Sequence, residues 1–304
     1  MYPGKLNVVS VVLSGGSGSR LWPSSRLSLP KQFIEFEKNS TLFSETIRRI
    51  NKDKTSNLTV VSNKAHNFLC RREVTRNDLE ACYILEEIGR NTATAILMAA
   101  LNYEDDDVLV IMPADHWIED KKSFNKAIDK AVSIAYEQKC WVTFGVNPTE
   151  PKTGYGYISA SYDGDIRTVN SFKEKPDFST AKSYLSDGNY FWNSGIFVVT
   201  VAKCKESFKS HQNKLYEEAV NCWFNKHIWQ DEVTLLSEHL KKIPSISIDY
   251  AILEKEANIA MMPFEGKWSD VGNWDSLSMM LNESKSFGNM KDNIINIDTK
   301  NTFV

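Results

Sequence analysis

No stretch of the 304-residue chain approaches the roughly 20 consecutive apolar residues that span a bilayer. The apolar run near the start, within MYPGKLNVVSVVLSGG, is too short for a secretory signal and leads into glycine-rich sequence. Basic residues are not in surplus. The 36 Lys and Arg stand against 39 Asp and Glu, a formal net charge of -3, which argues against a broad basic face for nucleic acid. A phosphorylated substrate then needs local positive charge. Paired cysteines are missing too: Cys70, Cys82, Cys140, Cys204 and Cys222 are odd in number and never spaced C-x-x-C. That pattern fits neither a disulfide framework nor a zinc site and suits a reducing cytoplasm. The expectation is a soluble cytoplasmic protein without membrane or nucleic-acid partners. There is no internal repeat and no low-complexity segment.

What is present points to an α/β protein. Hydrophobic residues make up 42% of the chain, enough for a sizeable core, and the length fits two domains or one large α/β domain with an appendage. Short runs rich in Val and Ile recur at Val8–Leu13, Leu58–Ser62, Val108–Pro113 and Trp141–Val146, each of strand length and continuously apolar, as buried parallel strands are. Amphipathic helical patterns lie between them at Thr41–Ile50, Lys64–Asn77, Asn91–Leu101 and Ser123–Gln138. This alternation predicts a Rossmann-like, mainly parallel sheet flanked by helices. After Pro148 the segments Tyr155–Ser161, Ile166–Glu174 and Trp192–Thr200 are broken by Gly, Asp and Asn, which predicts mixed or antiparallel sheet holding a second substrate. Residues 288–304 form a β-like tail, either the start of a further module or a last edge strand.

The first strand runs into Gly15-Gly16-Ser17-Gly18-Ser19-Arg20-Leu21-Trp22-Pro23. Three glycines let the backbone turn tightly and bring N–H groups close to phosphate oxygens. A dinucleotide fingerprint needs a third glycine where Leu21 stands, and a Walker A loop needs a terminal Gly-Lys-Ser/Thr that is absent. Taken alone the loop is equally a tight strand-to-helix turn. Arg20 and, eleven residues on, Lys31 in Pro30-Lys31-Gln32-Phe33 flank it, two cations suited to neutralising a triphosphate or else solvated surface charges. Asp115 follows the run Val108–Met112 and so belongs at a strand's C-terminal end, where ligands bind in open α/β sheets. A helix cap or turn is the alternative reading of such an aspartate.

The glycine loop with Pro30-Lys31-Gln32-Phe33 closely resembles the signature of sugar-nucleotide pyrophosphorylases, and within them is most similar to bacterial mannose-1-phosphate guanylyltransferases. Seven ordered blocks extend the resemblance: Glu86-Glu87-Ile88-Gly89-Arg90-Asn91-Thr92-Ala93, Pro113-Ala114-Asp115-His116, Thr153-Gly154-Tyr155-Gly156-Tyr157-Ile158, Phe172-Lys173-Glu174-Lys175-Pro176, Trp192-Asn193-Ser194-Gly195-Ile196-Phe197, Ser247-Ile248-Asp249-Tyr250 and Trp268-Ser269-Asp270-Val271-Gly272-Asn273-Trp274. Two departures, Ser19 for the usual Thr and Thr94 for the usual Pro, leave the charged positions intact. The resemblance implies one nucleotidyltransferase domain over 1–287, with a nucleotide-binding half at 1–148 and a sugar-phosphate half at 149–287. It implies Mg²⁺-dependent, in-line attack of mannose 1-phosphate on the α-phosphorus of GTP, giving GDP-mannose and pyrophosphate, and it implies a homodimer.

By the same resemblance Arg20, Lys31 and Lys175 act on phosphates, and Gly15, Gly16, Gly18, Ser19, Glu86, Arg90, Asn91 and Thr92 bind the nucleotide. Gly156, Glu174, Asn193 and Asp249 bind the sugar, and Asp115 and Asp270 hold the metal. Glu86 has the acceptors to read guanine's N1–H and exocyclic amine, although Asn91-Thr92 equally serves as a helix start. His116 reads as structural, since an anionic nucleophile has no proton to give up. Of Trp192, Trp268 and Trp274, core packing is expected for at least two. Many relatives add a C-terminal phosphomannose isomerase domain of cupin type, and 304 residues leave no room for one, so transferase activity alone is expected. Two rival readings remain: a uridylyl- or thymidylyltransferase acting on glucose 1-phosphate, and a non-catalytic regulatory subunit. The Arg90-Asn91-Thr92 block speaks against the first, and the retained charged residues speak against the second.

Overall fold

A computed structural model describes residues 6–16, 19–37, 40–51, 55, 57–161 and 166–283. Eleven strands among them build one sheet: β1 (Val8–Ser14), β2 (Asn57–Asn63), β3 (Cys82–Glu86), β4 (Val108–Pro113), β5 (Trp141–Val146), β6 (Tyr157–Ser161), β7 (Arg167–Lys173), β8 (Tyr190–Thr200), β9 (His227–Trp229), β10 (Glu232–Leu235) and β11 (Ile259–Phe264). Their order is β9-β10-β3-β2-β1-β4-β8-β5-β11-β7-β6. From β10 through β4 every neighbouring pair is parallel.

The apolar runs are continuous because both faces of this sheet are covered. In β1, Val9 and Val11 pack on one face against the helix Asn91–Ala100, while Val8 and Val12 pack on the other with Phe43, Ile47 and Leu69. In β4, Leu109 and Ile111 join the first face, and Val108, Val110 and Met112 the second. The four predicted helices are present as Leu42–Arg48, Asn67–Arg76 (after a 3-10 turn), Asn91–Ala100 and Lys121–Gln138. The first opens on a capping box in which Thr41 and Ser44 satisfy each other's backbone N–H groups. None of the described helices is long and apolar enough to cross a membrane.

β5 departs from the expected parallel run. It does not neighbour β4, because β8 inserts between them, antiparallel to both. The two halves of the chain therefore share one sheet, with no break in it at residue 148. β8 is long and bent. Its first residues, Tyr190–Trp192, pair with β6, its last, Phe197–Thr200, pair with β4, and the register against β5 shifts between Asn193 and Phe197. Gly195, at φ +70°, sits at the irregularity and lies over Pro113 at the end of β4. Because β6 also bonds to β7, the pairings β8-β5-β11-β7-β6-β8 close on themselves. The tail 288–304 lies outside the described residues.

Gly145 lies where this closed set is tightest. A methyl group on it would stand 2.9 Å from the Phe191 Cβ and closer still to the Met261 sulfur. Gly145→Ala is therefore expected to cost about 1–3 kcal/mol by overpacking, read as a lower urea midpoint at unchanged slope. An unchanged midpoint would show that the strands separate freely there.

Candidate active site

Parallel strands leave their C-terminal ends open on one side of a sheet, and β1, β3 and β4 end there in Ser14, Glu86 and Pro113. A cavity of about 490 Å³ occupies this side. Gly15, Gly16 and Arg20 line it from the loop after β1, Glu86, Asn91 and Thr92 from the block after β3, and Asp115 from the loop after β4. The bent β8 and the later loops contribute Asn193, Gly156, Glu174, Lys175, Asp249 and Asp270. Residues from both halves of the chain thus meet around one space. Gly18 lies outside the described residues, and Ser19 opens a 3-10 turn ending at Leu21.

The glycine loop is held by a residue that the sequence reading passes over. Gln32 is buried, and its amide donates to the Ser14 hydroxyl (3.3 Å), the Ser14 carbonyl (3.4 Å) and the Gly16 carbonyl (3.2 Å). Its neighbour Lys31, expected on the phosphates, is 4% exposed. Its ammonium lies 2.9 Å from Asp115 Oδ2 and donates to the main-chain oxygen of Asp270. Burial is the largest single influence on the Asp115 carboxyl and raises its affinity for the proton, but the charge and hydrogen bond of Lys31, the neighbouring His116 and a backbone N–H together outweigh it, and the net shift is downward. Asp270 is fixed separately: its Oδ1 accepts from the Tyr155 hydroxyl (2.8 Å) and the Gly272 N–H (3.0 Å). A side chain on Gly272 would come within 2.7 Å of Asp270 Oδ2. Tyr155 also accepts the Lys175 N–H on its carbonyl (3.2 Å), which ties the Asp270 loop to Lys175. In the sequence only the glycine beside Tyr155 stands out. The aromatic's burial against Trp192 and Trp268 gives no motif to find.

His116, read from the sequence as structural, lines the cavity and is held by its neighbours. The Trp268 indole donates to its Nδ1 (3.3 Å), so Nε2 carries the proton and points toward Asp115 Oδ1 at 3.8 Å. Burial is the largest influence on this imidazole and the net shift is downward, keeping it neutral. Trp192 is a core residue, Trp268 lines the cavity, and Trp274 is 39% exposed and outside the cavity wall.

On the opposite wall the amide of Asn193 is oriented by its neighbours. Its Oδ1 accepts from the Thr143 hydroxyl and the Gly195 N–H, both at 3.1 Å, and its Nδ2 donates to Asp249 Oδ1 at 3.1 Å. Burial, with the nearby Glu174 carboxylate second, pushes Asp249 up to about 7. Glu174 accepts from Lys175 Nζ at 2.7 Å and reaches beneath Gly156, whose missing side chain would otherwise lie 2.6 Å from Glu174 Oε2. Gly156, expected to bind the sugar, therefore leaves room for this carboxylate.

The third wall carries the block after β3. Arg90, expected on the nucleotide, is absent from the cavity lining, and its guanidinium grips the main-chain oxygen of Ile243 (Nε at 2.7 Å). Five donors in a fixed fork suit a bare carbonyl at a loop as well as they suit a phosphate. Thr92 similarly accepts the Ile248 N–H (2.9 Å), anchoring the turn that presents Asp249. Asn91 takes φ +70° at the helix start and caps the Thr92 N–H at 2.8 Å. Glu86 is different. It is 3% exposed, faces the cavity, and its Oε1 has no hydrogen-bond partner among the described residues. Burial pushes it up to about 7, partly offset by the Arg90 backbone N–H.

Comparison with known proteins agrees with this architecture. The pattern of the nucleotidyl transferase family matches residues 9–286. An alginate biosynthesis protein, AlgA, of Pseudomonas fluorescens is 37% identical over 306 residues, covering 98% of this chain and 63% of the relative. Mannose-1-phosphate guanylyltransferase 2 of Escherichia coli O157:H7 is 36% identical over 312 residues, covering 98% and 64%. The chain thus spans less than two thirds of the length of these curated relatives. Among solved structures, one described as a mannose-1-phosphate geranyltransferase from Thermus thermophilus superposes with a TM-score of 0.79 at 29% identity, covering 92% of this chain and 80% of that one.

Glu86 and Asp249 make stability depend on pH. Each holds its proton up to about 7 in the folded chain, against 4.5 and 3.8 when free. Their contribution is full below about pH 4 and is lost as pH rises through 7, because the unfolded chain releases these protons first. Glu86→Gln removes one of the two titrations. The fall in thermal midpoint between pH 5 and pH 7.5 should shrink, by the equivalent of roughly 1–3 kcal/mol. An unaltered pH dependence would mean that the Glu86 carboxyl is solvated.

Proposed function

The chain belongs to the nucleotidyl transferase family, and from that premise we propose that it transfers GMP from GTP to α-D-mannose 1-phosphate, releasing pyrophosphate and GDP-mannose. The observation that carries this reading is the convergence on one cavity of three groups: a glycine loop with Arg20, an aspartate pair, and the Glu174, Lys175, Asn193 and Asp249 cluster.

The nucleophile, a sugar phosphate oxygen, is already anionic, so the reaction needs no general base and no covalent enzyme intermediate. Positioning and charge neutralisation supply the acceleration. The Gly15 and Gly16 backbone approaches the triphosphate, with Arg20 balancing its charge. Asp115 and Asp270 fit Mg²⁺ through their chemistry: the ion takes hard oxygen ligands, typically one or two carboxylates completed by phosphate and water. Among the described residues no cluster of three or more candidate ligands competes with this pair. Bound there, Mg²⁺ would neutralise phosphate charge. Lys31 keeps Asp115 ionised for this role. Lys175 meets the sugar phosphate, and Glu174, Asn193 and Asp249 bind sugar hydroxyls, with the free Asn193 amide hydrogen available as a donor.

Guanine recognition is assigned to Glu86, whose unpartnered Oε1 lies at the cavity wall. Guanine offers adjacent N1–H and amine donors to a carboxylate, and adenine offers no such pair. The assay is pyrophosphate release with mannose 1-phosphate and Mg²⁺, run in parallel with GTP, ATP, UTP and dTTP. GTP-selective turnover is expected, together with its near-complete loss in Asp115→Ala. Glu86→Gln should cut kcat/KM for GTP by about 5- to 150-fold, the equivalent of the roughly 1–3 kcal/mol cost of a mispaired buried polar group. Preference for UTP or dTTP would replace the guanylyl assignment, and binding without turnover would favour a regulatory subunit.

A further inference from the structure

Behind the Asp115 loop lies a buried cation that none of these roles uses. Arg49 closes the helix Leu42–Arg48 and is 2% exposed. Its side-chain hydrogen bonds to the described residues go to uncharged oxygens: the Glu45 carbonyl (3.0 Å), the Thr46 hydroxyl (2.6 Å) and the His116 carbonyl (2.7 Å). The guanidinium also stands 5.8 Å from the centre of the Phe124 ring. Burial lowers its pKa to about 10, which leaves it charged at neutral pH. Burying a charge with no direct ionic partner among the described residues is costly, and an apolar side chain of similar size would fill the same space without that cost.

The directions of these bonds indicate what the charge does. The Thr46 hydroxyl that accepts from Arg49 faces the Pro113 carbonyl at 3.5 Å, a long contact on the near side of Asp115. Arg49 itself holds the His116 carbonyl on the far side. The Ala114 N–H is fixed by Leu13 at 2.9 Å. The four residues Pro113 to His116 are thereby held from β1 and from the helix end at once, and Asp115 is the one whose carboxylate pairs with Lys31 at the cavity. A single guanidinium can serve the helix carbonyl, the hydroxyl and the loop carbonyl together because its donors are splayed in a rigid plane, which an ammonium cannot reproduce.

We propose that Arg49, through Thr46 and the His116 carbonyl, is a positioning residue that presets the Asp115 carboxylate for divalent-metal binding. It rests on the reading of Asp115 as a metal ligand. Outer-shell partners of metal ligands typically change affinity about 10- to 100-fold when removed.

The test follows thermal unfolding of the full chain while MgCl₂ is titrated at a fixed concentration of GDP-mannose, since a ligand bound only by the folded state raises the midpoint. In Arg49→Met the Mg²⁺ concentration giving half of the midpoint rise should increase about 10- to 100-fold. Arg49→Lys should stay close to Arg49→Met. Thr46→Val should move the same way and Thr46→Ser should restore the original value. If Arg49→Met lowers the starting midpoint but leaves the half-maximal Mg²⁺ concentration unchanged, Arg49 supports the fold alone and the proposal is overturned. Should Arg49→Met not fold, equal Mg²⁺ dependence in Thr46→Val and Thr46→Ser overturns it. Asp115→Asn separates the two levels. A weakened response there with unaltered Arg49 and Thr46 variants sinks only the positioning role. An unaltered response in Asp115→Asn, or no Mg²⁺ response in the unsubstituted chain, sinks the metal reading and the positioning role with it.

Discussion

The Lys31 ammonium, drawn onto Asp115 and the Asp270 main chain, joins three segments that are far apart in the sequence. Asp115 and Asp270 both face the cavity, and carboxylates gathered around one space repel. A buried lysine between the two loops supplies the opposing charge without closing the cavity, because its own side chain lies almost wholly inside the protein. The contact also explains why the neighbouring Gln32 is where it is. One short 3-10 turn, Lys31–Phe33, places a cation under the aspartates and an amide under the glycine loop, while Phe33 anchors the turn against Phe43.

The second constraint is the bend in β8. A straight antiparallel strand could pair with β4 or complete the closed set with β6, but not both along one line. The shift between Asn193 and Phe197 resolves this, and the unpaired stretch falls directly over Pro113 and His116. Irregular backbone frees polar groups, and here they are taken up locally: Asn193 Oδ1 accepts the Gly195 N–H and Ser194 Oγ the Ile196 N–H. The same irregularity turns the Asn193 amide toward Asp249. Sheet closure and the orientation of a cavity side chain are thus one structural event.

These two constraints differ in how far the sequence reveals them. β1, β2, β4 and β5 are readable because strands buried on both faces are apolar without interruption. β3 escapes that reading: Cys82–Glu86 has five residues and ends in a carboxylate, so it carries little of the signal. The insertion of β8 is beyond local reading, since order within a sheet is decided by pairing between distant segments. At the site, the segments singled out by resemblance meet around one cavity, and the structure collects most of the anticipated residues there. Resemblance does not distinguish a side chain facing the cavity from one bracing the backbone behind it. Arg90 sits in the same block as Glu86, yet it holds the Ile243 carbonyl and is absent from the cavity lining, while Thr92 lines the cavity and also accepts the Ile248 N–H. Tyr155, Gln32 and Arg49 act by contacts with partners remote in sequence, which spacing does not encode.

The carboxyl groups of the cavity divide by environment. Asp115, next to Lys31, is held below its ordinary range. Glu86, buried, and Asp249, half-buried, with no lysine in hydrogen-bonding contact among the described residues, are pushed up to about 7. Pairs of titratable groups driven apart in this way mark different tasks within one site. Under the proposed function, the ionised end would serve a cation and the phosphates it accompanies. The two raised groups match ligand parts that bring donors of their own, a base edge or sugar hydroxyls, because such donors stabilise the charged carboxylate at the moment of binding. Until that moment the cost of burying the charge is avoided by keeping the proton. Under the proposed function, a ligand lacking those donors must either leave the proton in place or leave a charge uncompensated, so the burial that raises these groups would also make the cavity selective.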